Sequence, residues 1–144
     1  MRVFNRCSVV LLAIALVLNL PCPVPAQSKP PRDPVEIQRK VQRSADLQRQ
    51  ALQALGEPAK AERLITSAYT NLKSAQDDMV VNLTTMKPPD PMLGLNMKKT
   101  DQALSLVLGA SDAFKGGVEN PADVARDRLQ QSLRITNTLL ATGF

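Results

Sequence analysis

Apolar side chains between residues 58 and 86 recur at intervals of seven along the chain. The larger series is Ile65, Leu72, Met79 and Met86, and the smaller is Ala61, Ala68 and Ala75. Together they place apolar residues alternately four and three positions apart, the spacing of a helix packed on another helix, whereas a β-strand has a period of two. Because alanine alternates with larger side chains, we expect a long partner helix that approaches closely.

Four helices are predicted because the same start signal occurs four times. A polar or acidic residue precedes a proline, which fits the first helical position because an N–H there would lack a partner anyway. The four starts are Asp33-Pro34, Glu57-Pro58, Asp90-Pro91 and Asn120-Pro121. Glu36 and Asp123 lie where they would complete capping boxes for the first and last helices, and Glu57 is the weakest cap.

Glycine and proline mark where each predicted helix ends. The end signals are Gly56, Pro88-Pro89, Gly116-Gly117 and Gly143, so the helices cover residues 34–55, 58–86, 91–115 and 121–142. Short loops make successive helices antiparallel. We therefore predict an all-α fold, an up-down-up-down antiparallel four-helix bundle over residues 33–144, preceded by a signal-peptide helix. The alternative is a pair of helical hairpins that opens or swaps into a dimer.

The other three helices also carry apolar stripes. In the third, the stripe is Leu93, Met97, Thr100, Leu104, Val107, Ser111 and Phe114, with Leu108 beside it. In the fourth, it is Ala125, Leu129, Leu133, Thr136 and Leu140, with Leu139 beside it. The first is least regular: its apolar residues are Ile37, Val41, Ala45, Ala51, Leu52 and Leu55, and Ser44 and Gln48 interrupt them. We expect the first helix to be the most loosely held.

The first 26 residues have the pattern of a secretory signal peptide. Arg2 and Arg6 precede an apolar run over residues 7–20, and small residues end at Ala26, where a signal peptidase would cut. The run is short for a bilayer, which needs about 20 residues. We predict a secreted or periplasmic protein with a flexible Pro-rich leader at residues 27–32. The alternatives are a retained membrane anchor and a lipoprotein modified at Cys22.

The charge of the predicted mature chain argues against nucleic-acid binding. Cleavage after Ala26 leaves 118 residues, enough for one domain, with 16 basic and 13 acidic residues and a net charge of +3. The leader supplies +2 of that charge, and basic and acidic residues cancel from Glu57 onward. A nucleic-acid surface needs a concentrated basic stripe, and single strands also need aromatic platforms. The mature chain has only Tyr69, Phe114 and Phe144 as aromatics, so we predict no nucleic-acid partner.

Residue types also argue against the common catalytic sites. The chain has no histidine, and both of its cysteines, Cys7 and Cys22, fall in the predicted signal peptide. This composition excludes Ser-His-Asp and Cys-His nucleophiles, His-rich zinc sites and a disulfide from the mature chain. Asp77 and Asp78 are adjacent and diverge by about 100° around a helix, so we interpret them as a solvated surface pair. We predict a non-enzyme without catalytic, cofactor-binding or metal residues.

Methionines are the only enriched soft metal ligands. Met79, Met86, Met92 and Met97 bracket the turn at residues 87–90. Thioether sulfur suits Cu(I), which an exported protein could meet. Met79, Met86 and Met97 also fall on the apolar stripes, however, where methionine is a flexible core filler. Core filling is our favoured interpretation, and a Cu(I) or small-ligand carrier is the alternative.

A few polar residues fall on the predicted stripes. Asn82 lies where a fourth alanine would continue the series. Its amide could hydrogen-bond across the helix interface and so fix the register of the two helices. The alternative, which we favour, is that Asn82 points to solvent. Asn82 also begins a glycosylation triplet, but one placed inside a helix. Thr100, Ser111 and Thr136 could line a polar cavity, although hydroxyl bonds to carbonyls of the same helix are a simpler explanation.

No family resemblance emerges from these residues. They favour a small exported, non-enzymatic helical domain that binds a protein or cell-envelope partner through a helix face, with a homodimer as one form of that assembly. The alternative is the soft-metal or small-ligand carrier described above. An enzyme that uses carboxylates or a Ser/Lys pair is the least favoured hypothesis.

Overall fold

The computed structural model of the protein describes residues 30–144, and within that range the chain forms four α-helices and no strand. The helices are α1 (Pro34–Gln53), α2 (Pro58–Thr85), α3 (Pro91–Lys115) and α4 (Pro121–Thr142). The predicted bounds of α3 and α4 are confirmed, whereas α1 and α2 end slightly earlier than predicted. The predicted signal peptide and its helix lie outside the described residues.

The four helices pack against one another as a bundle, as predicted. Each helix packs mainly on two others: α1 packs on α2, α2 on α3, α3 on α4, and α4 on α1. Of these four interfaces, α1–α2 and α3–α4 are the largest and α1–α4 is the smallest. The bundle therefore consists of two tightly packed helix pairs, with the smallest interface where the first and last helices meet.

Two of the four predicted caps form and two do not. Asp33 accepts a hydrogen bond from the Val35 N–H at 2.9 Å, and Asp90 accepts one from the Met92 N–H at 2.8 Å. Glu57 makes no side-chain cap bond. Asn120 was expected to cap α4, but its backbone is left-handed, with φ 55° and ψ 59°, and its side chain makes no cap bond. A short polar residue tolerates that conformation, which positions the backbone for the turn into α4.

The capping boxes predicted for Glu36 and Asp123 are absent from the structure. Glu36 instead accepts a hydrogen bond from Arg39, and Asp123 accepts one from Arg126. An arginine three residues ahead on an exposed helix face offers a carboxylate a charge-assisted bond, which here replaces the bond to the capping residue.

The face of α2 that points into the bundle is fully buried. We call this face the α2 seam; its six residues, all 0% exposed, are Ala61, Ile65, Ala68, Leu72, Ala75 and Met79. Met86, predicted to extend it, is 41% exposed. The reason is that α2 ends at Thr85, and the extended backbone of Met86 takes its side chain off the helical row. The seven-residue spacing therefore predicts burial only within the helix, which ends at Thr85.

Buried apolar residues form two clusters. One contains Ala51, Ala54, Leu55, Ala61, Ile65, Ala68, Val107, Ala110, Ala125 and Leu129. The other contains Ile37, Val41, Leu72, Ala75, Met79, Leu93, Ala103, Leu104 and Leu139. Along α1 and α4, four polar residues separate the clusters, each 0% exposed, and we call them the polar layer: Ser44, Gln48, Ser132 and Thr136. Ser44 and Gln48 therefore do not interrupt the buried face of α1, because they are buried with it.

The stripes of α3 and α4 are rotated slightly from their predicted positions. On α4, Ser132 and Leu139 are buried, whereas Leu133 and Leu140, one position later, are only partly buried. On α3, Leu108 is 47% exposed, and the buried face includes residues that were not predicted. Those residues are Asn96, Ala103, Ala110 and Ala113. Small residues lie at the closest approach of the helices, where larger side chains would hold the backbones apart.

Candidate functional site

One end of the bundle combines buried amides, charges and exposed apolar side chains. It is formed by the start of α1, the end of α2, the start of α3 and the end of α4. Ile37, Met79, Leu93 and Leu139 of these four segments share one core cluster. We call this region the Asn82 end, and its defining ranges are 30–37, 78–97 and 139–144.

Asn82 binds the chain segment that precedes α1. Its side chain is almost completely buried, because the residue is 3% exposed. Its Oδ1 accepts a hydrogen bond from the Arg32 N–H at 2.6 Å, and its Nδ2 donates to the Arg32 carbonyl at 2.9 Å. The favoured prediction that Asn82 points to solvent is therefore wrong. An amide side chain can pair with both backbone groups of one extended residue, and that pairing gives the buried oxygen and nitrogen of Asn82 a partner each.

Asp78 lies one helical turn before Asn82 on α2 and is paired with two cations. Lys40 donates to its Oδ2, and the Nε of Arg32 lies 3.6 Å from its Oδ1. Its side chain is only 15% exposed, so the interpretation of Asp78 as a solvated carboxylate is wrong. The two cations come from α1 and from the segment before it, and both reach the side of α2 that carries Asp78.

Asp77 is exposed and belongs to a different interaction. It accepts a hydrogen bond from Lys73 at 2.8 Å, and Lys73 also donates to Gln76. The bond from Lys73 to the Asp77 carboxylate raises the pKa of Lys73 above its usual 10.5, an effect that desolvation opposes. Asp77 and Asp78 therefore diverge, as predicted. They do not form the facing carboxylate pair that acid-base hydrolysis needs.

An open, charged depression of about 440 Å³ surrounds Asp78. Its lining residues are Pro31, Arg32, Asp33, Glu36, Lys40 and Asp78. The sequence did not predict this depression, because the residues that line it come from two segments about forty positions apart.

Asn96 makes a second link at the same end. It is 1% exposed, and its Nδ2 donates to the carbonyl of Gly143, just after α4, at 2.9 Å. Its Oδ1 has no hydrogen-bond partner in the described part of the chain. Asn96 was not predicted, although it lies three residues after Leu93 and four before Thr100, on the helical spacing of the buried stripe.

The four methionines occupy different environments. Met79 is 0% exposed in the core, and Met97 is partly buried against the same cluster. Met86 and Met92 are 41% and 47% exposed on either side of the turn. Core filling is therefore confirmed for Met79 and wrong for Met86. Within residues 30–144, no group of three His, Cys, Asp or Glu side chains is positioned to hold a metal ion.

Exposed apolar side chains gather at the Asn82 end. The large apolar residues with the greatest exposure are Val35, Val80, Met86, Met92, Leu95, Leu108 and Val118. The first five of these belong to the Asn82 end, whereas Leu108 and Val118 lie elsewhere. Exposed apolar residues that are concentrated in one region are typical of interaction surfaces, whereas isolated ones are common on any protein.

The polar layer lies between the two core clusters and is incompletely bonded. Gln48 donates through Nε2 to the hydroxyls of Ser44 at 3.2 Å and Thr136 at 3.5 Å. Ser44 donates to the carbonyl of Ala68 at 2.8 Å, and Thr136 donates to the carbonyl of Ser132 in its own helix at 2.8 Å. Because these hydroxyl protons are already used, the Oε1 of Gln48 has no donor within residues 30–144.

The hydroxyl residues singled out in the sequence do not form one cavity. Thr100 donates to the carbonyl of Asn96 and Thr136 to that of Ser132, so both bond back to their own helices, as the simpler explanation predicted. Ser111 lies apart from both, in a groove of about 110 Å³ between α2 and α3 that Tyr69 and Leu108 also line.

None of the helices formed by residues 30–144 has a stretch long and apolar enough to cross a membrane. Comparisons with protein families, with curated proteins and with solved structures find no match to this chain.

Proposed function

We propose that this chain is a small exported, non-enzymatic helical domain that acts by binding a protein or cell-envelope partner. The observation that carries the proposal is the concentration of exposed apolar side chains at the Asn82 end, where Val80, Met86, Met92 and Leu95 are each between 41% and 47% exposed. These residues occupy the end of α2 and the start of α3, so a partner would contact the faces of both helices. Export is inferred from the signal-like pattern of residues 1–26.

We also propose that the four helices run up-down-up-down. Polar contacts support this topology, because each pair of consecutive helices has two such contacts, and the one that starts later along the first helix ends earlier along the second. The contacts are Lys40 with Asp78, Ser44 with Ala68, Glu62 with Lys115, Gln76 with Asp101, Asn96 with Gly143, and Ala103 with Ser132. An up-down-up-down bundle places the end of α2, the start of α3 and the end of α4 together.

Site-specific photo-crosslinking tests the proposed binding surface. A photoreactive phenylalanine analogue replaces Leu95 in one full-length protein and Gln130, an exposed residue of α4, in a matched control. In the native extracellular or periplasmic fraction, we expect Leu95 to yield a discrete covalent adduct and Gln130 to yield none. The adduct should disappear when Met92 is replaced by serine.

Two results would overturn this assignment. Equal crosslinking from both positions would mean that adducts form wherever the protein surface is exposed. An absence of adducts from Leu95, alongside adducts from Gln130, would move the binding surface to α4. A homodimer would appear as an adduct of twice the monomer mass, and size-exclusion chromatography with light scattering would identify it.

A Cu(I) carrier is the second candidate, and the exposure of two methionines favours it. Met86 and Met92 are accessible on either side of the turn, whereas Met79 is buried and unavailable unless the bundle opens. We expect a Cu(I) titration of the full chain to show binding that Met86→Leu and Met92→Leu abolish and Met79→Leu preserves. Equal affinity in the wild type and in a variant with all these methionines replaced by leucine would exclude the carrier.

A further inference from the structure

We propose that Asp78 and Asn82 form a recognition site for an extended peptide segment that carries an arginine, and that Arg32 of the same chain occupies this site. The inference goes beyond the proposed function, because it concerns a site within the bundle and depends on neither the apolar surface nor an external partner.

The main chain of the occupant is recognised by Asn82. The side-chain amide pairs with both the N–H and the carbonyl of Arg32, at 2.6 Å and 2.9 Å. These two bonds require an occupant residue that has a free N–H, which excludes proline at this position. Because neighbouring strands of a sheet pair through the same two groups, the site selects an extended backbone.

The sequence around Arg32 already favours that conformation. Pro30, Pro31 and Pro34 leave Arg32 and Asp33 as the only residues of this segment with an N–H. A residue before proline is also driven toward extended backbone angles, and Asp33 has φ −63° and ψ 122°. The segment therefore loses little conformational freedom when it binds, which favours the bound state.

Asn82 is buried while the segment is in place. The residue is 3% exposed, so both of its hydrogen bonds to Arg32 are shielded from water, which strengthens them. Arg32, or an equivalent residue of another extended chain, can make the same two bonds.

Asp78 adds a preference for a cationic side chain. Its carboxylate is 15% exposed and lies 3.6 Å from the Nε of Arg32, while Lys40 holds its other oxygen. The Arg32 side chain is 48% exposed, so solvent screens its ion pair with Asp78. The two main-chain hydrogen bonds therefore contribute most of the binding free energy, and the ion pair contributes less. Pro31 and Asp33, which flank Arg32, line the depression of about 440 Å³ beside Asp78.

Hydrogen exchange of the Arg32 amide in the full-length protein tests occupancy by the chain itself. We expect the Arg32 N–H to exchange at least tenfold more slowly than an unstructured peptide of the same sequence, and Asn82→Leu to remove that protection. Asn71→Leu is the matched control, because Asn71 also lies on α2 but bonds only to the carbonyl of Ser67 in its own helix. Exchange at the unstructured rate in the wild type would overturn the proposal.

Binding from outside the chain tests the specificity of the site. Arg32→Pro removes the N–H and the guanidinium from the occupant without altering α2, so it vacates the site even if Asn82→Leu does not fold. The probe is a peptide with the sequence of residues 28–34, added at millimolar concentration because a tethered occupant already has an effective concentration in that range. We expect it to shift the Asn82 side-chain NMR signals saturably in full-length Arg32→Pro.

The control probe is the same peptide with proline in place of arginine, and it should cause no shift. Failure of the arginine peptide to shift the Asn82 signals, or equal shifts from both peptides, would overturn the proposed recognition. Neither result would bear on crosslinking from Leu95, so failure of this site and failure of the proposed binding surface are distinguishable.

Discussion

The α2 seam and the polar layer are equally buried but are stabilised differently. The α2 seam is apolar throughout, and burial of side chains such as Leu72 contributes about 25 cal/mol per Å² of apolar surface removed from water. The polar layer, between α1 and α4, consists of hydroxyls and one amide, and the Oε1 of Gln48 has no partner there. The α1–α4 interface is also the smallest of the four.

This difference indicates which interface holds the bundle together and which one opens first. Burial alone does not measure stabilisation, because a buried polar group contributes little net free energy even when it is bonded. We infer that α2 holds the bundle together and that α1 and α4 separate most easily. Separation there would be the first step toward the hairpin-swapped dimer that the sequence left open as an alternative, and the α2–α3 interface would have to open next.

Removing a large side chain from the α2 seam should have the largest effect. Leu72→Ala deletes a fully buried side chain and leaves a cavity, so we expect the free energy of unfolding to fall by about 2–5 kcal/mol, measured by urea denaturation. Leu108→Ala is the control, because Leu108 is 47% exposed, and its change should stay within about 0.5 kcal/mol. Similar losses from both variants would contradict the contrast between a buried and an exposed leucine.

Enlarging a small residue of the α2 seam should be the next most damaging change. Ala75→Leu inserts a side chain where two helices approach closely, and we expect a loss of about 1–3 kcal/mol in unfolding free energy. Ala59→Leu makes the same change at an exposed position of α2 and should be close to neutral. A neutral Ala75→Leu would show that the partner helix does not lie against the alanine row.

Replacing the amide of the polar layer should raise the free energy of unfolding, whereas the two changes in the α2 seam lower it. Gln48→Leu removes the buried Oε1 that lacks a donor while keeping a similar volume, so we expect the unfolding free energy to rise by about 1 kcal/mol. The control, Gln53→Leu, changes an exposed residue of the same helix and should leave stability nearly unchanged. A loss of stability in Gln48→Leu would mean that the polar layer stabilises the α1–α4 interface.

The smallest effect on stability is expected from the ion pair between Lys73 and Asp77 on the exposed face of α2. Asp77→Asn removes the carboxylate that raises the pKa of Lys73, so that pKa should fall toward 10.5 in an NMR titration of the lysine side chain. Asp101→Asn should lower it less, since Asp101 is the smallest of the contributing charges.

The sign of the matching stability effect follows from the raised pKa. The contribution of Lys73 is fully present below its unfolded pKa and is lost as the pH rises through its folded pKa, above about 10.5. The effect on stability should be small because Lys73 is exposed and its ion pair is screened by solvent. A destabilisation by Asp77→Asn at neutral pH as large as that of Ala75→Leu would contradict this account.

The sequence predicted the α2 seam because its seven-residue spacing is uninterrupted and reflects the geometry of a single helix. It did not predict that Asn82 is buried, because its partner, Arg32, lies fifty residues earlier and outside every helix. The paired environment of Asp78 was missed for the same reason, since Lys40 and Arg32 both come from another segment.

Other errors arise where two solutions fit the same local pattern. On α4, Leu133 and Leu140 fit the helical period as well as Ser132 and Leu139 do, and packing against the neighbouring helices decides which pair is buried. At Asn120, a side-chain cap and a left-handed backbone are both common for asparagine, and the structure has the second. The expectation that α1 is the most loosely held helix stays a prediction.

The burial of the α2 seam is tested most directly by the accessibility of its methyl groups to a soluble paramagnetic agent. In the full-length protein, at a concentration where it is monomeric, we predict that the methyl signals of Ile65, Leu72 and Met79 are not broadened, while those of Leu95 and Leu108 are. Comparable broadening of both groups would show that the α2 seam faces solvent and would contradict the four-helix packing on which the account depends.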